Sequence, residues 1–77
     1  MNMRTFNGLT GLPELRRRAG MTQKDLAAVM GVTRECVAMW ETGKSWPSAS
    51  TLPRLADLLL CSIDDLYQFT SREEGAP

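Results

Sequence analysis

Side chains with several kinds of chemistry share one arc of the segment that follows Thr33. Wound as a helix at about 100° per residue, the segment places five residues on that arc: Arg34, Glu35, Ala38, Met39 and Thr42. The planar guanidinium of Arg34 can bond guanine O6 and N7 together, and Glu35 can accept from a cytosine amino group. Ala38 or Met39 can touch a thymine methyl. These groups are either solvated or presented to a partner.

A capped helix precedes this segment. Thr22 is an N-cap residue with Asp25 three positions on, which is the pattern of a capping box. Apolar residues then recur at helical spacing, namely Leu26, Val29 and Met30. We therefore expect a helix from about Gln23 to about Met30.

A tight turn joins that helix to the next. Gly31 can end the first helix because glycine adopts the left-handed conformation at low steric cost. Thr33 can cap a second helix that runs through about Glu41 and whose inner side carries Cys36, Val37 and Trp40. Two helices joined this tightly must cross steeply, which is the helix-turn-helix arrangement.

An ordinary amphipathic helix with a solvated face would explain the outer arc by itself. The order of features favours a face presented to a partner, because a generic pair of helices has no reason to reproduce it. That order is a capped helix, a glycine turn, a second capped helix and then Gly43 with Lys44.

The chain resembles the lambda-repressor-like helix-turn-helix family, which includes phage Cro and repressor proteins. The resemblance runs from about Leu12 through Phe69, with matching stretches in the expected order: LRRRAGMTQKDLA, MGVT, WETGK, LPRLADLL and CSIDDLY. It implies an all-α fold of five short helices in which the second and third form the helix-turn-helix. The implied function is sequence-specific binding of double-stranded DNA by a small transcriptional regulator, a repressor.

An α-helix fits the major groove, and the second helix of such a motif enters with its N-terminal half leading. The candidates to meet base edges are then Thr33, Arg34, Glu35, Ala38 and Met39. Gln23 matches the family glutamine that binds a backbone phosphate and steadies the second helix of the motif. The further phosphate candidates are Lys24, Thr42 and Lys44. Neutralisation of Arg34 by Glu35 or Glu41 is the alternative, and it would weaken readout without abolishing the fold.

The resemblance also implies an ion pair between Arg16 and Glu41, the glutamate that ends the second helix of the motif. The alternative is two unrelated surface charges. A partly buried pair should fix the angle between helices more than it stabilises the fold.

Three further helices are expected. The first covers Pro13 to Ala19, with a buried stripe of Leu12, Leu15 and Ala19. The fourth runs from about Thr51 to Leu59 with Ser50 as its cap, and the fifth from a Ser62–Asp65 capping box through Tyr67 or Gln68. Leu60 departs from the glycine or asparagine that the family usually has at this helix end. A leucine is uncommon in the left-handed region, so the turn there is open to question.

The loop after Lys44 contains Trp46. Packing over the core is its expected role, because large aromatic rings contribute most of their energy by burial. The alternative is an aromatic edge near the DNA backbone.

The 77 residues suit one small domain: a flexible arm over 1–10, a DNA-binding domain over 11–70, and a disordered tail over 71–77. The side chain of Phe6 is a candidate to pin the arm to the core. Without a long apolar run or a signal-peptide pattern, we expect a soluble, cytoplasmic protein with no membrane partner.

Charge is the main argument against nucleic-acid binding, since nine basic residues balance nine acidic ones. Residues 1–48, however, carry seven basic and four acidic side chains, and residues 49–77 carry two basic and five acidic. This asymmetry matters more for docking to phosphates than the total does.

No catalytic constellation is evident. The chain has no histidine, and its two cysteines, Cys36 and Cys61, form no zinc motif and are expected to be small buried hydrophobes. We expect no enzyme activity, no cofactor and no metal. The competing function is protein binding, as an antitoxin with a toxin partner or as an interaction module with the same fold.

A homodimer on a palindromic operator is expected, since family members commonly place two helices in successive major grooves about 34 Å apart. The C-terminal region is rich in apolar side chains. With Ile63 and Leu66 assigned to the core, the interface candidates are Leu60, Tyr67 and Phe69.

Overall fold

The computed structural model describes residues 7–68 and contains five helices: α1 (Leu12–Arg18), α2 (Gln23–Met30), α3 (Arg34–Thr42), α4 (Thr51–Leu59) and α5 (Ile63–Tyr67). The predicted all-α fold of five short helices is confirmed, and no strand occurs within residues 7–68. The bounds of α2 and α4 agree with the prediction. Helix α1 begins and ends one residue earlier than predicted, and α3 ends one residue later.

The core lies where the five helices meet. Its fully buried side chains are Leu9, Leu12, Leu26, Val37, Leu55 and Leu66. Trp40 is also buried, and Cys36 and Cys61 are half-buried against the same cluster. Both cysteines therefore pack against the core, but they are half-buried rather than buried as predicted.

The buried stripe of α1 is shorter than predicted. Leu12 and Leu15 are buried, whereas Ala19 is exposed and that part of the prediction is wrong. Helix α1 ends at Arg18, and Ala19 is its C-cap, with an amide that donates to the carbonyls of Leu15 and Arg16. Its side chain consequently lies at the surface.

The corner between α2 and α3 follows the local signals closely. Thr22 and Asp25 form the predicted capping box, with both hydrogen bonds at 3.0 Å. Gly31 ends α2 in the left-handed region at φ +75°, and the Thr33 hydroxyl accepts from the Cys36 amide at 3.1 Å. The local capping rules therefore account for both helix ends at this corner.

Helix α2 buries a slightly different set of residues from the one that its apolar spacing indicated. Leu26 and Met30 are buried, together with Ala27. Val29, which shares the helical spacing, is 54% exposed. The helix therefore packs against the core through Leu26, Ala27 and Met30 and leaves Val29 largely exposed.

Trp46 does not cover the core. It is 61% exposed, and the buried residue of its loop is the neighbouring Pro47. The packing prediction for Trp46 is therefore wrong, since the loop buries the proline ring and leaves the indole mostly exposed.

Ser50 does not cap α4 through its side chain. Its backbone is already helical (φ −81°, ψ −20°), and its side chain makes no capping hydrogen bond. The third helical residue is Pro53, which has no amide to donate to a capping side chain. The Ser48 hydroxyl accepts from the Thr51 amide at 3.2 Å instead.

The corner between α4 and α5 contains Leu60 in the left-handed region at φ +56°, with its side chain 91% exposed. The Ser62–Asp65 capping box is present, with hydrogen bonds of 3.2 and 3.1 Å. Leu66 is buried as predicted, but Ile63 is 38% exposed, so its assignment to the core is wrong. Ile63 is the first residue of a five-residue helix, and this position lies at the rim of the core.

The segment before α1 is packed from Gly8 onward. The Leu9 amide donates to the Trp40 carbonyl at 2.8 Å, and the Thr10 hydroxyl donates to the Tyr67 carbonyl at 2.6 Å. A side chain at Gly8 would collide with the backbone of Glu41 and Gly43. The predicted arm over 1–10 therefore includes residues that tie α3 to α5.

Several predictions lie outside the described residues: those for Phe6 and Phe69, for the first six residues of the arm and for the 71–77 tail. Across residues 7–68, none of the helices has the length and apolar character that crossing a membrane requires.

Candidate nucleic-acid interface

The outer face of α3 carries the predicted base-contacting residues. Arg34, Glu35 and Met39 are exposed, and Ala38 is half-buried between them. Thr33 lies at the N-cap, where its side-chain oxygen accepts from the Cys36 amide. Arg34 and Glu35 occupy the first turn of α3, so both stand at the end of the helix that would lead into a groove.

A shallow groove runs along this face and is lined by Glu35, Ala38, Met39, Thr42 and Lys44. Its floor is apolar at Ala38 and Met39, and its two ends carry opposite charges, at Glu35 and Lys44. The Thr42 hydroxyl donates to the Ala38 carbonyl at 3.0 Å. Since a threonine has one hydroxyl proton, Thr42 could donate to a phosphate only by giving up that bond.

A second concave surface lies beside the first turn of α2. It is lined by Arg16, Arg17, Met21, Thr22, Gln23, Lys24 and Arg34. None of these lining residues is acidic, and four are basic. Lys24 and Gln23, the phosphate candidates at the start of α2, therefore lie in a positive depression that adjoins the leading end of α3.

Arg16 and Glu41 form an ion pair that joins α1 to α3. Arg16 Nε lies 2.7 Å from Glu41 Oε2, and Arg16 Nη2 lies 3.4 Å from Oε1. The side chains are only 12% and 7% exposed. Arg16 Nη1 also donates to the Met21 carbonyl at 3.3 Å, so the guanidinium is fixed from two directions.

The ion pair extends into a chain of hydrogen bonds that the sequence did not reveal. Gln23 Nε2 donates to Glu41 Oε1 at 2.9 Å, and Arg34 Nη1 donates to Gln23 Oε1 at 3.2 Å. Only the fold brings these four residues together, since they span α1, α2 and both ends of α3. The resemblance had given Gln23 a phosphate contact and a steadying role for α3, and these two bonds show the protein partners through which Gln23 contacts α3.

Among residues 7–68, no acidic side chain forms an ion pair with Arg34. Within residues 7–68, the ion pairs closer than 4.0 Å join Arg16 to Glu41 and Arg17 to Glu14. Glu41 is engaged by Arg16 and Gln23 rather than by Arg34. The alternative in which Glu35 or Glu41 neutralises Arg34 is therefore not the arrangement of this structure.

The pKa values of Asp25 and Cys61 are shifted from their ordinary values. Hydrogen bonds from the Thr22 backbone and side chain lower the pKa of Asp25, which fits its role in the capping box. Burial, with a smaller contribution from the charge of Asp65, raises the pKa of the Cys61 thiol. No group of three histidine, cysteine or acidic residues suited to a metal occurs among residues 7–68.

Comparison with known proteins gives a consistent family. A helix-turn-helix family model matches residues 14–66. An uncharacterised HTH-type transcriptional regulator of Archaeoglobus fulgidus is 38% identical over 64 residues, which cover 83% of this chain and 91% of that protein. A second regulator of that organism is 34% identical over 64 residues, 83% of this chain and 90% of its own length.

The HTH-type transcriptional activator BcrR of Enterococcus faecalis is 33% identical over 71% of this chain, which corresponds to 27% of the activator. Among solved structures, the crystal structure of Fe(II)-HppE with an alternative substrate matches with a TM-score of 0.70 and 30% identity. The match covers 86% of this chain and 34% of that one, so the shared part is about a third of the enzyme.

The family model spans the whole helix-turn-helix and both flanking regions, and the relatives that match over nearly their full length are transcriptional regulators rather than enzymes. This chain therefore belongs to the lambda-repressor-like, Cro/C1-type helix-turn-helix family of transcriptional regulators.

Proposed function

We propose that this protein binds double-stranded DNA sequence-specifically, with the leading half of α3 in the major groove, and that it represses transcription. The observation that carries the proposal is the position of Arg34. It stands exposed at the first turn of α3, where it lines the basic depression, and bonds an amide oxygen rather than a carboxylate. An arginine presented in this way keeps its charge and most of its donors for a nucleic acid.

The base-reading chemistry follows from the donors that remain. An arginine has five N–H donors, and the bond to Gln23 engages Nη1. The other N–H groups can bond guanine O6 and N7 as a pair. The apolar floor at Ala38 and Met39 suits a thymine methyl, and Glu35 suits a cytosine amino group.

Phosphate contacts are proposed on both sides of the recognition helix α3. Lys24 is exposed at the start of α2, and Lys44 is exposed after the end of α3. Gln23 Nε2 carries two hydrogens, of which Glu41 takes one, so the second can be donated to a phosphate. Because contacts of this kind release counterions, the affinity should fall steeply with salt.

A homodimer on a palindromic operator is part of the same proposal. Leu60 is 91% exposed and Ile63 is 38% exposed at the α4–α5 corner, while Tyr67 is partly buried beside them. An apolar side chain as exposed as Leu60 gains stability if a second copy covers it. Sedimentation of the free protein and of its DNA complex tests this, and a monomer that binds one to one at an asymmetric site would contradict it.

Repression is proposed for a steric reason. A bound domain of this size occupies promoter DNA by excluded volume alone, whereas activation also needs a surface that recruits polymerase. The relative BcrR is named a transcriptional activator. Expression of a reporter gene that carries the selected site therefore has to distinguish repression from activation. Lower reporter expression in the presence of the protein supports repression, and higher expression contradicts it.

The deciding experiment for DNA binding is selection of bound sequences from a random duplex pool. Recovery of a consensus with defined half-site spacing supports the proposal. Failure to select any sequence, together with tight binding to a second protein, would favour the antitoxin or interaction module instead.

Two variants separate base contacts from phosphate contacts. Arg34→Ala should relax the preference at one base pair and cost roughly 1 to 3 kcal/mol on the selected site. Lys44→Ala should weaken all duplexes to a similar degree and reduce the salt dependence. Equal, sequence-independent losses from both variants would contradict the assignment of Arg34 to a base.

A further inference from the structure

Four side chains form a continuous series from the interior of the domain to its DNA-facing surface. Arg16 bonds Glu41, Glu41 accepts from Gln23, and Gln23 accepts from Arg34. The series begins at an ion pair whose side chains are 12% and 7% exposed and ends at an exposed arginine. It therefore links the packing of α1 against α3 to the orientation of a side chain at the proposed interface.

The charges at each end fix the orientation of the Gln23 amide. An ionised carboxylate can only accept hydrogen bonds, and a guanidinium can only donate them. Turning the amide over would place its oxygen against Glu41 and its NH₂ group against Arg34, and both bonds would be lost. Only one of the two orientations lets Gln23 bond both neighbours.

The carboxylate that sets this orientation is itself held by hydrogen bonds. Glu41 is held by two nitrogens of Arg16, and Arg16 is held in turn by the Met21 carbonyl. Hydrogen bonds to charged groups are shorter and stronger than neutral ones. The Gln23 oxygen therefore accepts from Arg34 at a defined position. As a result, part of the conformational entropy of the Arg34 side chain is already lost before DNA binds.

We propose that Glu41 is a specificity-positioning residue, which acts through Gln23 to present the Arg34 guanidinium to one base pair in one orientation. The inference rests on the proposed DNA-binding function and adds a role for Glu41 beyond joining α1 to α3. Gln23 and Lys24 line the same depression, so in this proposal phosphate binding and base reading share the Gln23 amide group.

The test compares discrimination between DNA duplexes. The probes are the duplex selected by the wild-type protein and duplexes that change one base pair at a time. Glu41→Gln keeps the shape of the side chain but can both donate and accept, so it permits either orientation of Gln23. The matched control is Glu14→Gln, which removes one carboxylate from an exposed pair with Arg17 at 3.8 Å.

We expect Glu41→Gln to reduce discrimination at the base pair read by Arg34 by about 5- to 10-fold, which is about 1 to 1.4 kcal/mol. Discrimination at the other positions should be preserved, and Glu14→Gln should match the wild type. In an Arg34→Ala background, Glu41→Gln should cause no further loss of discrimination at that base pair, because the residue through which it acts is gone.

An equal loss of affinity on every duplex, with the base preferences intact, would overturn the inference and leave Glu41 a structural residue. If Glu41→Gln fails to fold, Gln23→Met gives the answer, since it removes the acceptor and leaves the Arg16–Glu41 pair in place. Reduced discrimination at the Arg34 base pair then supports the inference, and unchanged discrimination overturns it. Failure of the wild type to select a consensus is a different result, which contradicts the proposed function itself.

Discussion

The α2–α3 corner and the α4–α5 corner have nearly the same backbone but different residues at the turn. The Val32 amide donates to the Ala27 carbonyl at 3.0 Å, and the Cys61 amide donates to the Ala56 carbonyl at 2.9 Å, five residues back in each case. Thr33 and Ser62 then cap the following helices, each with a hydrogen bond of 3.1 Å. The residue in the left-handed region is Gly31 in the first corner and Leu60 in the second.

The comparison shows that a corner of this kind does not need glycine. The hydrogen bond that closes the helix and the cap that starts the next one hold Leu60 at φ +56°, although a side chain in this region costs roughly 1 to 2 kcal/mol. The leucine is also 91% exposed, so burial within the domain does not offset that cost. Its presence supports the proposal that a partner surface covers this corner.

The two corners also differ in how deeply the side chains of their second helices are buried. Truncating one side chain at each corner should give the largest difference in the free energy of unfolding. Trp40 is 4% exposed on α3, whereas Ile63 is 38% exposed on α5. Trp40→Ala should lower the free energy of unfolding by roughly 3 to 5 kcal/mol, and Ile63→Ala by less than about 2 kcal/mol. Urea denaturation of both variants checks this. Similar losses would show that the second corner is supported as firmly as the first.

Sequence reasoning predicted the first corner well because its signals are local. Thr22, Asp25, Gly31 and Thr33 act on amides within a few residues, so spacing alone identifies them. Whether Trp46 and Ile63 are buried or exposed depends on how residues distant in sequence pack around them. No local sequence pattern carries that information.

The candidate site likewise has features that the sequence predicts and features that depend on the fold. The exposed arc of α3 could be predicted from helical periodicity, and the resemblance supplied the Arg16–Glu41 pair. The bonds that join Gln23 to Glu41 and to Arg34 depend on the crossing of α2 and α3. Sequence spacing does not predict the relative position of α2 and α3 precisely enough to tell which side chains are within hydrogen-bond distance.

Exchanging the residues at the turns tests whether conformational strain is the main difference between the corners. Gly31→Ala should cost roughly 1 to 2 kcal/mol, because the left-handed conformation is retained and a Cβ atom there meets nothing within 4 Å. Leu60→Gly should raise the free energy of unfolding by about 0.5 to 1 kcal/mol, after the entropy of glycine is counted. Denaturation at two protein concentrations separates strain from dimerisation. A destabilised Leu60→Gly monomer would show that Leu60 is not strained.

Removing the caps tests whether the corners share the same means of support. Thr33→Ala and Ser62→Ala should each cost about 1 kcal/mol, because each leaves a helix amide without its acceptor. Thermal unfolding of the two variants measures this. A much smaller cost for Ser62→Ala would indicate that α5 is held by the core through Leu66 rather than by its cap.

The smallest expected effect concerns the residue that follows the turn, which is Val32 in the first corner and Cys61 in the second. Both are partly buried against the core. Burial raises the pKa of the Cys61 thiol, and the unfolded chain therefore ionises at a lower pH than the folded one. The thiol should contribute its full stability below the ordinary thiol range and lose that contribution as the pH rises through the raised pKa.

Cys61→Val gives the second corner the residue of the first and removes this titration. The difference in melting temperature between wild type and variant should be constant at neutral pH and should shift in favour of the variant above the ordinary thiol range. Taking the difference cancels the titration of groups common to both proteins. Cys36→Ser in both backgrounds leaves Cys61 as the only thiol of the reference protein and leaves the variant with none. If the difference in melting temperature stays constant across the alkaline range, the folded protein accommodates the Cys61 thiolate as well as the unfolded chain does. That result would contradict the prediction that packing against the core disfavours the thiolate at this corner.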